Sequence, residues 1–189
     1  DLKAKAAILF EPPNERWELF KELYRGYFST ECPAAIVTRD WLKLGFQGDH
    51  PERDLRGGGI LSLELINDFA ARENHSVKDM EKEGNDFFFA VSSINISFFM
   101  KKFFHLQTLT SRADHDHREL CSRLALKNFC RLLLSNRNAY ADLHRLFLLH
   151  LYHTIWMGLK RTGSNITLLN FNQAFDTLRE KVIRTFNDR

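Results

Sequence analysis

Apolar residues along this chain recur mainly at spacings of three and four, the pattern of helices that bury one face. One such stripe begins after Pro12-Pro13 and the candidate N-cap Asn14, and another follows Asn170, which with Gln173 resembles a capping box. The chain has no sustained alternating pattern and no Asn-Gly or Asp-Gly hairpin turn. We therefore predict an all-α fold. The two stripes consist of Trp17, Phe20, Tyr24 and Tyr27, and of Phe171, Phe175, Leu178, Val182 and Phe186.

Glycines and polar residues divide the rest of the chain into further helices. Thr38 is placed to cap a short helix that carries Trp41 and Leu44 and ends at Gly45, where glycine suits a left-handed C-terminal residue. The pattern predicts other helices at about residues 59–73, 116–134 and 139–160, and a short charged helix or turn over residues 76–84. We expect a single-domain helical bundle of about six to eight helices.

The most apolar stretch, residues 87–100, is apolar nearly all round and predicts a Phe-rich helix at the centre of the bundle. Asp86 is its candidate N-cap. Because Val91, Ile94 and Ile96 would also suit a strand, that alternative stays open. The stretch is shorter than the roughly 20 apolar residues that cross a membrane, so we expect no transmembrane segment.

Composition narrows the class of protein. The 189 residues include 17 Phe, and since most of these lie in apolar runs, they indicate an aromatic core and not a surface that stacks on nucleic acid. A net charge of +3 is too small to indicate a polyanionic partner by itself. Three cysteines without a CxxC pair predict a reducing compartment and a cytoplasmic location. The chain opens without Met, as a piece of a longer protein would.

Residues 45–58 contain four glycines and one proline, which predicts an irregular loop between two helices. The loop presents Gln47, Asp54 and Arg56, and the glycines at 57–59 allow a phosphate or another backbone to approach closely. The next helix would direct its N-terminal amides toward the same place, which suits anion recognition. Spacing alone nevertheless favours a structural role for Arg56, paired with Asp54 or with a carbonyl at a helix end.

The segment WLKLGFQGDHPERDLRGGGIL, residues 41–61, resembles the signature of the ELMO domain, which runs approximately W-x-x-L-G-F-Q-G-x-D-P-x-T-D-F/L-R-G-x-G-x-L. Residues 88–97 resemble the PFAVxxINVT segment of the same family. The resemblance implies one ELMO domain over residues 1–189, with a core at about residues 12–186. The matching signature positions are Trp41, Leu44, Gly45, Phe46, Gln47, Gly48, Pro51, Asp54, Leu55, Arg56, Gly57, Gly59 and Leu61.

Three positions depart from the family pattern. His50 stands where the first segment usually has Asp, Arg53 stands where it usually has Thr, and Phe88 replaces the Pro of the second segment. These differences bear on local contacts of the loop and on the choice of partner, and they leave the resemblance to the family intact.

The resemblance implies one of two roles in small-GTPase signalling. The GTPase-activating branch of the family acts on Arf and Arf-like GTPases and needs the arginine of the D-F/L-R-G motif. The engulfment-and-motility branch lacks this arginine and acts as a scaffold with Dock-type exchange factors. This chain has the arginine as Arg56, so the resemblance implies an arginine finger supplied in trans to a GTP-bound Arf or Arf-like GTPase. Hydrolysis would occur in that partner, and the chain would be a regulator, not itself an enzyme.

The same resemblance implies a set of residues that contact the GTPase or hold the loop. Besides Arg56, the implied site residues are Trp41, Gly45, Phe46, Gln47, Gly48, Asp54, Gly57 and Gly59.

We expect no cofactor, no metal and no nucleic acid. We expect the GTPase to recruit the chain to membranes, in membrane traffic or cytoskeletal control. Two alternatives stay open: a non-catalytic scaffold in which the loop only docks, and a helical module that binds anions or nucleic acid.

Other candidate chemistry in the sequence is weak. His115 with His117, and His150 with His153, are spaced as metal ligands are, but neither pair has a third ligand in an obvious place or an HExxH frame. We predict solvated or interface histidines. The sequence contains no GxxxxGK[ST] nucleotide loop and no hydrolase signature. The pair Lys101-Lys102 is expected to be a solvated helix end.

Overall fold

The computed structural model describes residues 2–8, 17–82, 84, 86–106, 120–163 and 171–187, apart from the side chain of Arg56. Within these residues the secondary structure is helical and contains no β-strand, which confirms the predicted all-α class. Two 3₁₀ helices, Arg39–Leu44 and Pro51–Arg56, lie between α2 and α3, and a π-helical segment, Leu151–Trp156, joins α7 to α8. The α-helices are α1 (Leu2–Ala7), α2 (Trp17–Phe28), α3 (Gly59–Arg72), α4 (Asn74–Met80), α5 (Phe89–Phe103), α6 (Arg123–Ser135), α7 (Ala139–His150), α8 (Met157–Arg161) and α9 (Phe171–Asn187).

These elements belong to two compact units. The first unit comprises residues 4–98, and the second comprises residues 99–189 together with residues 1–3, so that the boundary falls within α5. In the first unit α3 packs on α2 and α4, and in the second α9 packs on α6 and on the π-helical segment. The assignment of residues 1–189 to a single domain stays a prediction.

An aromatic cluster ties α2 to the first 3₁₀ helix. Trp41 is fully buried, and its ring meets those of Phe20 and Tyr24 edge-on, with centroid distances of 5.6 and 5.3 Å. A buried indole N–H needs an acceptor, and here Trp41 Nε1 donates to the carbonyl of Ile36 at 2.6 Å. Trp41 thus fixes the segment that enters the 45–58 loop.

The ends of this 3₁₀ helix follow the prediction. The Thr38 side chain accepts a hydrogen bond from the amide of Asp40, and Gly45 ends the helix with a φ of 76°. The Asp40 carboxylate also accepts hydrogen bonds from Lys43 at 2.7 Å and from the Tyr24 hydroxyl at 2.8 Å, and these bonds lower its pKa. The start of the loop is therefore held by polar contacts as well as by its aromatic core.

Helix α5 is the Phe-rich helix predicted from the sequence, and the strand alternative is wrong. It begins at Phe89, and the carbonyl of Phe88 accepts the first helical hydrogen bond from Ser92 at 2.8 Å. The N-cap position is therefore Phe88 and not Asp86, which lies two residues earlier with a φ of 48°. Every residue of α5 except Phe98 is buried or half-buried, as expected for a helix that is apolar nearly all round.

Lys101 corrects a sequence prediction. It was expected at a solvated helix end, but only 3% of the surface of Lys101 is exposed. This burial lowers the pKa of its ammonium group. The last turn of α5 is still inside the apolar part of the second unit, where Phe103 and Phe104 are also buried. The long aliphatic stem of lysine makes such a position tolerable.

Helix α6 begins at Arg123, later than the predicted residue 116. Leu120 and Ser122 are not helical, because the Asn187 side chain of α9 donates to the carbonyl of Leu120 at 3.1 Å and accepts from the amide of Ser122 at 2.7 Å. Ser122 then caps α6 through its side chain. The sequence gives no indication of this distant clamp.

The predicted helix at 139–160 runs from Ala139 to Arg161 through the π-helical segment, and Gly163 follows its end with a φ of 75°. Helix α9 buries Phe171, Leu178 and Val182 of the predicted stripe, whereas its remaining two Phe are half-buried. The candidate caps at 14 and 170, and the histidines at 115 and 117, lie outside the described residues. None of the described helices is long and apolar enough to span a membrane.

Glu81, at the C-terminal end of α4, supplies a prediction of pH dependence. Both carboxylate oxygens are buried and have no hydrogen-bond partner among the described residues, and burial raises the pKa to about 8. Because the folded-state pKa is raised above 4.5, the value of an ordinary Glu, folding favours the protonated form. The free energy of unfolding is therefore greatest when the pH is below the ordinary pKa of Glu. It falls as the pH rises toward the raised pKa of Glu81 in the folded chain. We expect a loss of up to about 3 kcal/mol between about pH 5 and about pH 8.

The measurement is urea unfolding over that pH range for the parent and for Glu81→Gln. The variant should lose most of the pH dependence, since a neutral side chain carries no ionisation cost. Glu22→Gln, which changes an exposed carboxylate on α2, is the matched control and should keep the parent's slope. Equal slopes for the parent and Glu81→Gln would contradict the assignment.

Candidate functional site

The loop at residues 45–58 is more regular than predicted. Its second half forms the 3₁₀ helix Pro51–Arg56, with Pro51 in the first turn, where proline's fixed φ and missing N–H do no harm. Arg56 is the last residue of this helix, and Gly57 and Gly58 then lead into α3. The Arg56 side chain lies outside the described part of the structure. Its backbone position is set by the elements on both sides.

Asp54 braces the loop internally. Its Oδ2 accepts a hydrogen bond from the backbone amide of Gln47 at 2.8 Å, which joins the two halves of the loop. The first half is also tied to the N-cap of the preceding 3₁₀ helix, because the amide of Thr38 donates to the carbonyl of Asp49 at 3.2 Å. Gln47 itself is exposed. Asp54 thus braces the loop through its carboxylate. Gln47 contributes its backbone amide to this contact, and its side chain is exposed to solvent.

Gly45 joins the first motif to the second. Its carbonyl accepts a hydrogen bond from the amide of Val91 at 3.2 Å, in the first turn of α5. A Cβ placed on Gly45 would lie 2.6 Å from the backbone nitrogen of Phe89 and 2.9 Å from the carbonyl carbon of Phe88. Both the close approach and the positive φ require glycine here. The loop is therefore docked on the N-terminal end of α5.

The glycines after Arg56 have different roles. Gly57 is exposed, whereas a Cβ on Gly58 would lie 1.8 Å from the hydroxyl oxygen of Ser62. Ser62 is buried and donates to the hydroxyl of Ser97 on α5 at 2.8 Å. Gly59 has a φ of 67° at the first residue of α3. The three glycines thus allow a sharp turn and close packing on α5, and Gly57 alone among them is open to a partner.

The N-terminus of α3 is partly used by the chain itself. The amide of Ile60 donates to the carbonyl of Ile8, next to α1, at 3.3 Å. Lys5 of α1 also pairs with Glu64 of α3 at 3.0 Å. Among the N-terminal amides that were expected to suit an anion, that of Ile60 is therefore already satisfied within the chain.

A cleft of about 170 Å³ opens beside the backbone of Arg56, between the loop and one stripe of α5. Phe98 forms an exposed wall of this cleft, with 42% of the residue accessible, and a Cβ on Gly57 would lie 3.3 Å from the Phe98 ring. The α5 residues of the cleft are spaced by three and four and so share a helix face. Sequence reasoning missed their part in the site, although that spacing would have revealed the stripe. The cleft is lined by Gln47, Asp54, Gly57, Gly58, Val91, Ile94, Asn95 and Phe98.

The two motifs that meet at this cleft are parts of one family pattern, because the sequence model of the ELMO/CED-12 family matches residues 2–175. The chain belongs to the ELMO/CED-12 family. ELMO domain-containing protein C of Dictyostelium discoideum is 30% identical over 154 residues, which cover 75% of this chain and 25% of that protein. ELMO domain-containing protein 2 of Homo sapiens is 41% identical over 46 residues, which cover 24% of this chain and 16% of that protein.

A shorter match links the chain to ELMO domain-containing protein 1 of Mus musculus, with 46% identity over 37 residues, 20% of this chain and 11% of that protein. In each of these comparisons the chain spans a quarter or less of the relative's length. No solved structure matches the chain.

The departures of this ELMO-family chain from the signature have local explanations. His50 precedes the 3₁₀ helix Pro51–Arg56 and makes no side-chain cap, whereas an Asp there would be suited to cap it. Instead, His50 Nδ1 lies 3.0 Å from a carboxylate oxygen of Glu52. Arg53 is exposed in the same helix, and Phe88 contributes its carbonyl to the start of α5. These departures therefore change side chains on the loop and at the start of α5.

The remaining site predictions fall into two groups. Trp41, Gly45, Phe46 and Gly59 are buried and support the loop, and Gly48 is half-buried with no atom within 4 Å of an added Cβ. Within the described residues no group of three or more His, Cys, Asp or Glu side chains is arranged to hold a metal. His150 is half-buried, and its pKa is lowered first by burial and then by the charge of Lys181, while His153 is exposed.

Proposed function

We propose that this ELMO-family chain stimulates GTP hydrolysis by a small GTPase of the Arf or Arf-like class, with Arg56 as the arginine finger. The partner supplies the nucleotide, the Mg²⁺ and the attacking water. Arg56 enters the partner's site and neutralises the charge that develops on the β- and γ-phosphates in the transition state. The planar guanidinium suits two phosphate oxygens at once, which a lysine ammonium does not.

The position of Arg56 carries the proposal. It ends a 3₁₀ helix that is braced on one side by the bond between Asp54 and the Gln47 amide and on the other by the packed turn at Gly58. A finger that crosses into another protein needs such a fixed base, because its catalytic effect depends on placement within a fraction of an ångström. The exposed neighbours Gln47 and Gly57 leave room for the partner to approach.

The cleft beside Arg56 supports docking as well as catalysis. Exposed Phe98 and half-buried Asn95 offer one aromatic face and one amide next to the loop, a combination common where proteins recognise each other. The same feature favours the second candidate function, a scaffold that binds the GTPase without accelerating hydrolysis. The rate of GTP hydrolysis therefore distinguishes activation from docking, whereas binding to the GTPase does not.

The deciding experiment measures single-turnover GTP hydrolysis by a panel of Arf and Arf-like GTPases, with and without the chain, and separately measures binding to each GTPase loaded with a non-hydrolysable GTP analogue. Activation predicts acceleration of at least one member, on the scale of about 10³ to 10⁵ for a finger supplied in trans. Binding without acceleration of any member would establish the scaffold in its place. A panel in which no member binds would overturn both functions.

A further inference from the structure

The second unit carries a surface that the proposed function does not use. On α6 the buried residues are Ala125 and Phe129, and the opposite face of the helix is open. Two leucines lie on its open side, where Leu124 is 53% exposed and Leu134 is 88% exposed. A third, Leu132, is 42% exposed at the edge of the buried face, where it lines a pocket with Ala125 and Phe129. Single exposed leucines are ordinary, but several on one short helix indicate a surface that something covers.

The same helix is strongly basic. Arg123, Lys127 and Arg131 follow one another at intervals of four residues, so they form one stripe, and all three are exposed. Helix α6 contains no acidic residue, and Arg137, directly after it, is exposed too. Among the described residues none of these four cations pairs with a carboxylate. The side chain of Arg131 contacts the amide oxygen of Asn128 at 3.4 Å.

We propose that this face of α6 docks on a membrane surface that contains anionic phospholipid. The cationic stripe lies against the headgroups, and the leucines enter the boundary between headgroups and acyl chains. Leu134 follows Arg131 by three residues and Leu124 precedes Lys127 by three, so apolar and cationic side chains are interleaved on one face. Helices that lie in the membrane interface combine the same two kinds of side chain.

The composition of the face favours a membrane over a protein partner. Its exposed residues include no aromatic and no acidic side chain. Protein interfaces are enriched in Tyr, Trp and Phe and depleted of Lys in their centres, whereas anionic membranes attract clusters of Lys and Arg. A face in which leucines and cations predominate therefore matches a negatively charged lipid surface better than it matches a folded protein.

This inference goes beyond the proposed function and does not depend on it, because no GTPase takes part. Each Lys or Arg near an anionic surface contributes roughly fivefold to binding, so a stripe of three produces weak, reversible and salt-sensitive attachment. Such attachment orients the protein at a membrane without anchoring it permanently.

The test is co-sedimentation of the full chain with vesicles of phosphatidylcholine that contain phosphatidylserine, compared with vesicles of phosphatidylcholine alone. The parent should bind the anionic vesicles, and added salt should release it. The triple variant Arg123→Gln, Lys127→Gln, Arg131→Gln should bind about 100-fold more weakly. Leu134→Ala should weaken binding by roughly tenfold, since the leucine no longer buries its side chain in lipid. Circular dichroism checks that each variant keeps its helices.

Matched controls distinguish binding by this face from attraction by net charge and from nonspecific hydrophobic adsorption. The variant Arg72→Gln, Lys78→Gln, Lys82→Gln removes the same number of exposed cations from the first unit, and Leu42→Ala shortens an exposed leucine there. Both controls should bind vesicles as the parent does. A charge-matched control that loses as much binding as the α6 triple variant would overturn the proposal, because attraction would then come from net charge alone.

Cys130 allows a direct readout of contact. It is exposed on α6, whereas Cys121 is buried and Cys32 is half-buried, so a polarity-sensitive fluorophore can be attached at Cys130 in a Cys32→Ser variant. Its emission should shift to the blue with phosphatidylserine vesicles and stay unchanged with phosphatidylcholine. Sedimentation without this shift would place the contact elsewhere and overturn the proposal. If the α6 variants bind vesicles as the parent does but fail to bind a GTPase in solution, the face is a protein-docking surface and the membrane proposal is wrong.

Discussion

Replacing Arg56 by alanine is expected to abolish the acceleration of GTP hydrolysis, with a loss of about 10³-fold or more in the single-turnover rate at saturating chain. The reason is electrostatic. The guanidinium would stabilise charge that appears only as the phosphoryl group transfers, so its removal should affect the rate far more than the binding of the GTP-bound partner. Affinity for the GTPase loaded with a non-hydrolysable analogue should change by less than about tenfold.

Arg56→Lys should be nearly as defective as Arg56→Ala, because an ammonium keeps the charge but loses the planar fork that meets two phosphate oxygens. Arg53→Ala is the matched control. Arg53 is an exposed arginine in the same 3₁₀ helix, three residues before Arg56, and its removal should leave the maximal rate unchanged even where it weakens association.

A maximal rate that survives in Arg56→Ala would exclude the finger, and equal losses in Arg53→Ala and Arg56→Ala would point to general charge attraction by the loop. Thermal unfolding of each variant distinguishes loss of the finger from loss of the loop. The backbone of the loop is held by the Gln47 amide on Asp54, by the Val91 amide on Gly45 and by close packing at Gly58, so we expect the Arg56 variants to unfold near the parent's temperature.

Gly45→Ala is expected to destabilise the chain by about 3 kcal/mol. A left-handed conformation costs an L-residue about 1–2 kcal/mol, and the forced shift of a packed backbone adds about as much again. The new Cβ would meet the nitrogen of Phe89 at 2.6 Å, and a backbone atom at the start of a buried helix has little freedom to move. For a chain of this length the melting temperature should fall by roughly 6–12 °C.

Gly48→Ala is the control in the same loop. A Cβ there meets no atom within 4 Å, and Gly48 is not among the glycines with a positive φ, so its melting temperature should match the parent's. Thermal and urea unfolding measure both variants. A Gly45→Ala variant as stable as the parent would mean that the loop does not dock on α5 in solution. The Val91 amide of the parent would then also lack its bond to the Gly45 carbonyl, and hydrogen exchange at Val91 would be correspondingly fast.

Local patterns predicted much of this fold. Thr38 and Gly45 bound a short helix because a side-chain oxygen can cap an N-terminus and glycine tolerates the left-handed C-terminal residue, and both rules are local. The start of α6 was missed because Asn187, far along the chain, holds Leu120 and Ser122 out of the helix. Tertiary hydrogen bonds of this kind override helical periodicity without leaving a sequence signal nearby.

The candidate site divides in the same way. Trp41, Gly45 and Asp54 were identified through the family signature, and each has a local physical role in the loop. Gly58 is not a signature match, yet it is the glycine whose Cβ would collide with Ser62. Phe98 joined the site only through packing of α5 against the loop. Contacts between segments that are distant in sequence decide which residues line a cleft, and a single sequence does not display them.

The bond from the Val91 amide to the Gly45 carbonyl also limits how the signature can be used in protein engineering. The chain between these two residues contains all of α3 and α4, so the loop takes its shape only when α5 has been brought back against it. A synthetic peptide of residues 41–61 would keep the sequence of the motif. It would lack α5, whose Val91 amide holds Gly45 in place. Trp41 also needs its contacts with α2, so grafting Arg56 onto another protein would require moving residues 17–98 as one piece.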